Sequence, residues 1–182
     1  MIPDKPALRT TLRARRHGFA AGHAGSWPVP TPFLKRLEEG LIVSSYVPVG
    51  GEADPSPFIA AARDAGCRLA LPHVVDRATP LRFLLVDSDA ALESGPFGLH
   101  NPPADGHEAA PDIILTPLVG FDRRGNRVGQ GAGHYDRAFA DYPAAWRVGL
   151  AWSVQEVDML PADPWDVPLH AVATEREWIV PA

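Results

Sequence analysis

Three glycines at alternate positions are the feature of this sequence best suited to chemistry. Gly129, Gly131 and Gly133 form a G-x-G-x-G run that follows an apolar segment and opens a helical pattern near His134. Because glycine has no side chain, successive backbone N–H groups of such a loop can approach an anion, and the N-terminal end of the next helix adds positive potential. The run therefore predicts a phosphate-binding loop.

The residues beside the loop favour phosphate binding over a simpler alternative, a tight turn between a strand and a helix. The glycines alone fit both. They match neither a P-loop, since no G-K-[ST] follows, nor the dinucleotide fingerprint, since His134 takes the place of its last glycine. Arg127 and Arg137, however, bracket the loop. Asp136 adds a carboxylate among the expected phosphates, and a magnesium ion would reconcile these negative groups.

Four cations near the N-terminus recur at helical spacing. Lys5, Arg9, Arg13 and Arg16 are separated by four, four and three residues, so they share one face if the segment is a helix. Such a stripe is either a solvated face or an anion-binding surface, and the spacing leaves both open.

Two acids lie in segments typical of turns. Glu52 follows two glycines after an apolar run, and Asp166 lies in the sequence DPWDVP. Each residue type also occurs as an ordinary turn residue, so neither position identifies a ligand by itself. The seven histidines show no metal-like spacing with cysteine or carboxylates, and a histidine-based metal site is not predicted.

Short apolar runs alternate with helical patterns along the chain. The runs occupy residues 41–47, 67–74, 81–86, 112–119 and 146–152, and helical patterns occupy 5–16, 33–39, 54–66 and 133–143. Strands that alternate with helices are typical of βαβ units. We expect a single α/β domain over residues 1–182, an open and largely parallel sheet with helices on both faces, in three layers.

Composition narrows the classes of function. The 182 residues carry 17 Lys and Arg against 22 Asp and Glu, a net charge of -5, which argues against general binding to nucleic acid or anionic membranes. Cys67 is the single cysteine, the N-terminus lacks the apolar core of a signal peptide, and apolar stretches are too short to span a bilayer. We expect a cytoplasmic monomer that acts on small molecules.

The motifs together resemble one known family. Residues 121–137 closely resemble the signature of the 5-formyltetrahydrofolate cyclo-ligase family, roughly F-D-x-x-G-x-R-L-G-x-G-x-G-[YFH]-Y-D-R. Shorter matches follow the family's order over some 170 residues: K-x-x-L-R at 5–9, P-x-x-x-E-x-D at 48–54, GPFG at 95–98 and DVP at 166–168.

The resemblance implies an activity and a set of site residues. Family members use ATP and Mg2+ to cyclise 5-formyltetrahydrofolate to 5,10-methenyltetrahydrofolate, through a phosphorylated formyl group, and release ADP and phosphate. By resemblance, Arg127 and Asp136 would be catalytic, Asp136 and Asp166 would hold the metal, and Glu52 and Tyr135 would contact the folate. ATP would be bound by Lys5, Arg9, Gly129, Gln130, Gly131, Ala132, Gly133, His134, Tyr135, Asp136 and Arg137.

Three positions depart from the family pattern, and two other functions remain open at this point. The family often has an aromatic residue at Gln130, Gly or Lys at Ala132, and Tyr or Phe at His134. A sugar-phosphate isomerase or deaminase on a similar sheet would use a glycine loop without ATP. A non-catalytic paralogue would bind folate or nucleotide without releasing ADP.

Overall fold

The apolar runs form the strands of a central sheet. A computed structural model describes residues 4–23, 27–87 and 91–181. The helices are α1 (Lys5–Ala20), α2 (Thr31–Leu34), α3 (Ser56–Asp64) and α4 (His134–Asp141). The strands are β1 (Ile42–Ser44), β2 (Arg68–His73), β3 (Arg82–Val86), β4 (Glu93–Ser94), β5 (His100–Asn101), β6 (Ile113–Pro117), β7 (Gly120–Phe121), β8 (Arg127–Val128), β9 (Trp146–Leu150), β10 (Ala171–Ala173) and β11 (Trp178–Ile179).

Seven of these strands make one sheet in the order β11-β10-β9-β6-β1-β2-β3. The four inner pairings, from β10 through β9, β6 and β1 to β2, are all parallel. The edge strands β3 and β11 each pair antiparallel with their neighbour. The predicted open and largely parallel sheet is confirmed.

Helices cover both faces of the sheet. Alternate residues of β6 point to opposite sides, because side chains of a strand alternate. Ile113 and Leu115 belong to a core that contains Phe58 of α3. Ile114 belongs to a second core that contains Phe139 of α4. The sheet is therefore the middle of three layers, as predicted.

The order of the strands creates a crevice between β1 and β6. These two strands are neighbours, but the chain continues from β1 to β2 on one side and from β6 to β9 on the other. Open α/β sheets bind ligands outside the carboxyl ends of strands at such a switch point. Glu52 follows β1, and the glycine loop follows β6 through the small β7–β8 hairpin. The topology thus brings the two predicted loops to one edge of the sheet.

Helix α1 packs beside this edge through its apolar residues. The Asp4 carboxylate caps the helix by accepting a hydrogen bond from the Ala7 N–H at 2.8 Å. Leu8 and Leu12 are buried against the β7–β8 region and a C-terminal segment, in a core formed with Val119, Val128 and Leu160. This packing fixes which way the cationic stripe of α1 faces.

Some local predictions need correction. The helix predicted over residues 33–39 is limited to the single turn of α2, because its residues beyond Leu34 form turns and coil. Helix α3 starts at Ser56 with Pro55 as its N-cap residue, and the Asp54 carboxylate before it accepts a hydrogen bond from the Ser56 N–H at 2.9 Å. The Gly- and Pro-rich sequence over 18–32 separates the helical patterns at 5–16 and 33–39, and its residues 24–26 lie outside the described residues. Within the described parts of the chain, no helix combines the length and apolarity needed to cross a membrane.

The packing of α1 leads to a stability prediction. Leu12 is 1% exposed, so Leu12→Ala should lower the free energy of unfolding by about 2–4 kcal/mol through lost burial and a residual cavity. Leu34→Ala is the control, since Leu34 is 45% exposed and should cost less than about 1 kcal/mol. Urea unfolding followed by circular dichroism measures both. Equal losses in the two variants would contradict the docking of α1 through Leu12.

Candidate active site

One cleft collects all the residues that the sequence marked as candidates. Its volume is about 890 Å³, within the roughly 300–1,000 Å³ range of small-molecule sites. It is lined by the α1 cations, the glycine loop, the start of α4, the Glu52 loop and a C-terminal segment. The candidates in its wall are Lys5, Arg9, Glu52, Arg127, Gly129, Gln130, Gly131, Ala132, Gly133, His134, Tyr135, Asp136, Arg137 and Asp166.

The glycine loop has a backbone conformation that requires glycine. Gly131 has φ of 105° and Gly133 has φ of 69°, both in a region that other residues rarely adopt. Gly133 is the N-cap of α4, so the loop leads directly into the positive end of that helix. The Arg9 Nε–H donates to the Gly129 carbonyl at 2.9 Å. The loop is therefore fixed at both ends, to α1 and to α4.

Lys5 is held by two carboxylates at one end of the cleft. Its Nζ lies 2.6 Å from Asp163 Oδ2 and 2.5 Å from Asp166 Oδ2. Partial burial lowers the pKa of Lys5, but the hydrogen bonds to Asp163 and Asp166 outweigh burial and the net pKa is raised. The Asp163 N–H also donates to Asp166 Oδ2, at 2.7 Å. Lys5 is thus a fixed cation beside two acids.

Arg127 and Asp136 form a second pair. The Arg127 Nη2 donates to Asp136 Oδ1 at 2.6 Å, and the Arg127 side chain is 5% exposed. Burial lowers the pKa of Arg127, and the charge of Asp136 opposes that change. The guanidinium also lies over the Phe139 ring, 5.0 Å from its centroid. These contacts hold the Asp136 carboxylate at the wall of the cleft.

Asp136 and Asp166 are suitable as magnesium ligands by their chemistry. Both carboxylates line the same cleft, and the backbone N–H of Val167 lies 3.5 Å from Asp136 Oδ1. Mg2+ prefers oxygen ligands and is commonly held by one or two carboxylates together with phosphate oxygens. In the described residues, no three His, Cys, Asp or Glu side chains cluster as a complete metal site. The pair therefore fits an ion that arrives with a phosphate ligand.

The Glu52 side chain is buried, and hydrogen-bond donors surround its carboxylate. It is 5% exposed, accepts from the Val49 N–H at 3.1 Å and from Gln130 Nε2 at 3.2 Å, and lies 3.5 Å from Arg16 Nη1. Burial raises the pKa of Glu52, while Val49, Arg16 and Gln130 oppose that rise. The result is a desolvated carboxylate whose charge depends on its neighbours.

The side chains of His134 and Arg137, at the start of α4, donate hydrogen bonds to the loop between β2 and β3. His134 Nε2 donates to the Asp76 carbonyl at 2.7 Å, and Arg137 Nη2 donates to the Arg77 carbonyl at 2.8 Å. Burial lowers the pKa of His134, which favours a neutral ring. Burial also raises the pKa of Tyr135, with a contribution from the Glu52 charge, so its hydroxyl stays protonated. Tyr135 is thus available as a hydrogen-bond donor.

The cleft is locally positive in an acidic protein. Seven Arg and Lys side chains line it against four carboxylates, which leaves three net positive charges while the whole chain carries -5. Such a local excess attracts anions that the overall charge would repel. The cations are Lys5, Arg9, Arg13, Arg16, Arg77, Arg127 and Arg137, and the acids are Glu52, Asp136, Asp163 and Asp166.

Three residues line this cleft without having been assigned to it from the sequence. Asp163 shares Lys5 with Asp166, and its place three residues earlier in the same acidic turn was the available signal. Arg16, left open as a stripe member, is buried against Glu52. Arg77 reaches the cleft from the loop between β2 and β3, and no sequence pattern indicated it.

Comparison with known proteins gives consistent results. Residues 1–175 match the model of the 5-formyltetrahydrofolate cyclo-ligase family. The chain is 35% identical over 146 residues to the 5-formyltetrahydrofolate cyclo-ligase of Escherichia coli strain K12, covering 75% of this chain and 80% of that protein. Over an alignment of 187 residues it is 31% identical to the Mycolicibacterium smegmatis protein of the same description, covering 97% and 96%. The solved structure of Aquifex aeolicus 5,10-methenyltetrahydrofolate synthetase aligns with a TM-score of 0.71 and 28% identity, covering 97% of this chain and 92% of that one.

The buried Arg16–Glu52 pair predicts a pH-dependent loss of stability. Arg16→Met leaves Glu52 buried without its cation, which should cost about 3 kcal/mol at neutral pH. Burial already raises the pKa of Glu52 above its ordinary 4.5, and removing Arg16 raises it further. Between the unfolded and folded pKa values the folded state binds more protons, so the destabilisation should grow as pH rises through that window.

Urea unfolding at pH 5.5 and pH 7.5 tests this. The control is Arg15→Met, one position away on the exposed side of α1, which should change stability by less than about 0.5 kcal/mol at both values. A loss for Arg16→Met that is the same at the two pH values would show that Glu52 does not carry the cost.

Proposed function

Since this chain belongs to the 5-formyltetrahydrofolate cyclo-ligase family, we propose that it converts 5-formyltetrahydrofolate to 5,10-methenyltetrahydrofolate with ATP as co-substrate. The observation that carries the proposal is the convergence of the glycine loop, the cation stripe, two metal-suited acids and Glu52 on one cleft. Both substrates are anions, and the net positive charge of the cleft suits them.

The phosphate end of the site is assigned to α1 and the glycine loop. Lys5 and Arg9 supply positive charge, and the backbone of residues 129–133 and the N-terminus of α4 supply donors. Phosphoryl transfer depends mainly on alignment and on neutralising charge, which these groups provide without covalent chemistry. Arg127, next to the loop, is assigned to the transferred phosphoryl group.

Two ion pairs in the cleft involve the cations that are assigned to phosphate, so we expect these cations to change partners when ATP binds. Lys5 is bonded to Asp166, and Arg127 is bonded to Asp136. When the nucleotide binds, we expect Lys5 and Arg127 to exchange their carboxylate partners for phosphate oxygens. Magnesium, when bound, would supply positive charge to the phosphates, and Asp136 and Asp166 are the residues that would hold it.

The formyl oxygen of 5-formyltetrahydrofolate is a poor leaving group, so the reaction must first activate it by phosphorylation. The formyl oxygen attacks the γ-phosphorus, its bond to phosphorus forms, and the bond from phosphorus to the ADP oxygen breaks. N10 of the folate then attacks the formyl carbon, the C–O bond breaks, phosphate leaves with its electron pair, and the N10 proton passes to solvent. Arg127 lies where it can bind phosphoryl oxygens through both steps, which is electrostatic stabilisation of the developing charge.

Glu52 and Tyr135 are assigned to the folate. An ionised Glu52 accepts hydrogen bonds from N–H groups of the pterin, and the protonated Tyr135 donates one. All the assigned residues line the same cleft. We propose that the protein acts as a monomer in the cytoplasm, where ATP is its co-substrate.

The proposed reaction has a direct assay. Purified protein should form the methenyl product, followed by its absorbance, only when 5-formyltetrahydrofolate, ATP and magnesium are all present. Omission of each component in turn identifies what the reaction needs. ATP binding measured by calorimetry without product would instead indicate a non-catalytic protein, and product without ATP would exclude the phosphorylated intermediate.

Asp136→Asn should lower kcat by about 100-fold or more, because the substitution removes a charge that holds the metal and orients Arg127. The matched control is Asp141→Asn at the exposed end of the same helix, which should leave kcat within about 2-fold. Steady-state kinetics with circular dichroism spectra of both variants make the comparison. Normal turnover by folded Asp136→Asn would remove Asp136 from the mechanism.

A further inference from the structure

Gln130 lies in the glycine loop that is assigned to phosphate, but its side chain is hydrogen-bonded to other protein side chains. Its Oε1 accepts from Arg13 Nε at 3.1 Å and from Arg13 Nη2 at 2.6 Å. Its Nε2 donates to Glu52 Oε1 at 3.2 Å. Both ends of the amide are therefore engaged by protein side chains, one on α1 and one in the loop after β1.

The orientation of this amide is fixed by chemistry. Arginine has donors only, so the oxygen of Gln130 must face Arg13. An ionised carboxylate has acceptors only, so the NH2 group must face Glu52. A flipped amide would oppose donor to donor and acceptor to acceptor. Arg13 thus sets the direction in which Gln130 offers its hydrogen-bond donor.

Glu52 has one acceptor position left for a ligand. In the described part of the chain three donors reach it: Gln130 and Arg16 approach Oε1, and the Val49 N–H approaches Oε2. Oε1 receives the Gln130 hydrogen bond and lies 3.5 Å from Arg16 Nη1, whereas Oε2 receives only the Val49 N–H among the donors of the described residues, so Oε2 keeps an acceptor position. Glu52 is one of the residues that line the cleft, so this position is available to a ligand there.

We propose that the Gln130 side chain is a positioning residue for Glu52, serving the folate side of the reaction, while only the Gln130 backbone serves the nucleotide. This inference rests on the proposed function, in which Glu52 receives the pterin N–H groups. Through its hydrogen bond, Gln130 keeps the Glu52 carboxylate ionised and correctly oriented. It also connects the phosphate-binding loop to Glu52, the residue assigned to the folate.

The backbone around Glu52 does not depend on Gln130. The Tyr46 hydroxyl donates to the Ala53 carbonyl at 2.6 Å, and the Trp152 indole N–H donates to the Gly51 carbonyl at 3.0 Å. Gln130 itself is exposed, so replacing it leaves the core intact. A Gln130 variant should therefore fold and change the carboxylate alone.

Other groups near Glu52 must be held constant in a pH experiment. The charged and titratable residues that face it come from α1, the segment after β1 and α4, and they are Arg13, Arg16, Tyr46, Asp54 and Tyr135. Arg16 stays charged, and Tyr46 and Tyr135 stay protonated, over the pH range in which a glutamate titrates. Asp54 is exposed, so its effect on Glu52 is screened.

Two variants of Gln130 distinguish a role of its side chain in folate binding from a role in ATP binding. Gln130→Met removes both amide contacts and should raise the KM for 5-formyltetrahydrofolate about 10-fold, with the Kd for ATP changed less than 2-fold. Gln130→Glu keeps an acceptor for Arg13 but faces Glu52 with a like charge. The acidic limb of kcat/KM should move to higher pH in Gln130→Met, because Glu52 loses a donor, and further in Gln130→Glu.

A titration without substrates keeps this inference separate from the proposed reaction. Carbon-13 NMR of glutamate carboxyl groups, with the Glu52 signal identified by its loss in Glu52→Gln, should show the same order of pKa in the free proteins. An unchanged Glu52 titration in both variants would overturn the positioning role even in an active enzyme. A weaker Kd for ATP with an unchanged folate KM would also overturn it. A shifted titration in a protein that makes no methenyl product would support the positioning of Glu52 and reject the reaction.

Discussion

A buried guanidinium holds the two sides of the cleft together. Arg16 is 2% exposed, its Nη1 donates to the Leu118 carbonyl at 3.1 Å, and it lies 3.5 Å from Glu52. A charge in such a place is strongly destabilising without its partners, so α1, the end of β6 and the Glu52 loop must stay together. The other cations of α1 are on the same helix, and this constraint acts together with the packing of Leu8 and Leu12 to direct them toward the glycine loop.

Acids hold two cations of the cleft in place. Lys5 is paired with Asp166, and Arg127 is paired with Asp136. Donors that are already positioned need little reorganisation to bind an anion, which is the basis of electrostatic preorganisation. The excess of cations over carboxylates gives the cleft of this acidic protein a local positive charge, which attracts anions.

A second buried polar residue, Asp122, positions two segments that flank the cleft. Asp122 is fully buried and accepts from the N–H groups of Arg124 and Asn126 at 3.0 and 3.1 Å, which shapes the turn of the β7–β8 hairpin. Its other oxygen accepts from the Leu160 N–H at 3.0 Å, at the start of the segment that carries the C-terminal acids. Asp122, part of the long motif in the sequence, is therefore structural: it positions Arg127 and the Asp166 segment relative to each other.

The sequence by itself determined five strands of the central sheet (β1, β2, β3, β6 and β9), the fold class and the residues of the glycine loop. Apolar runs of β-formers and the φ requirements of Gly131 and Gly133 are local properties, and local properties are readable without a fold. The strands β10 and β11 carried no such signal because tertiary pairing forms them. Only the tertiary structure decided that Arg16 is buried beside Glu52 and that the Gln130 side chain donates a hydrogen bond to Glu52. Those contacts join residues more than 30 positions apart, and their energies depend on burial and distance, which spacing along a chain does not encode.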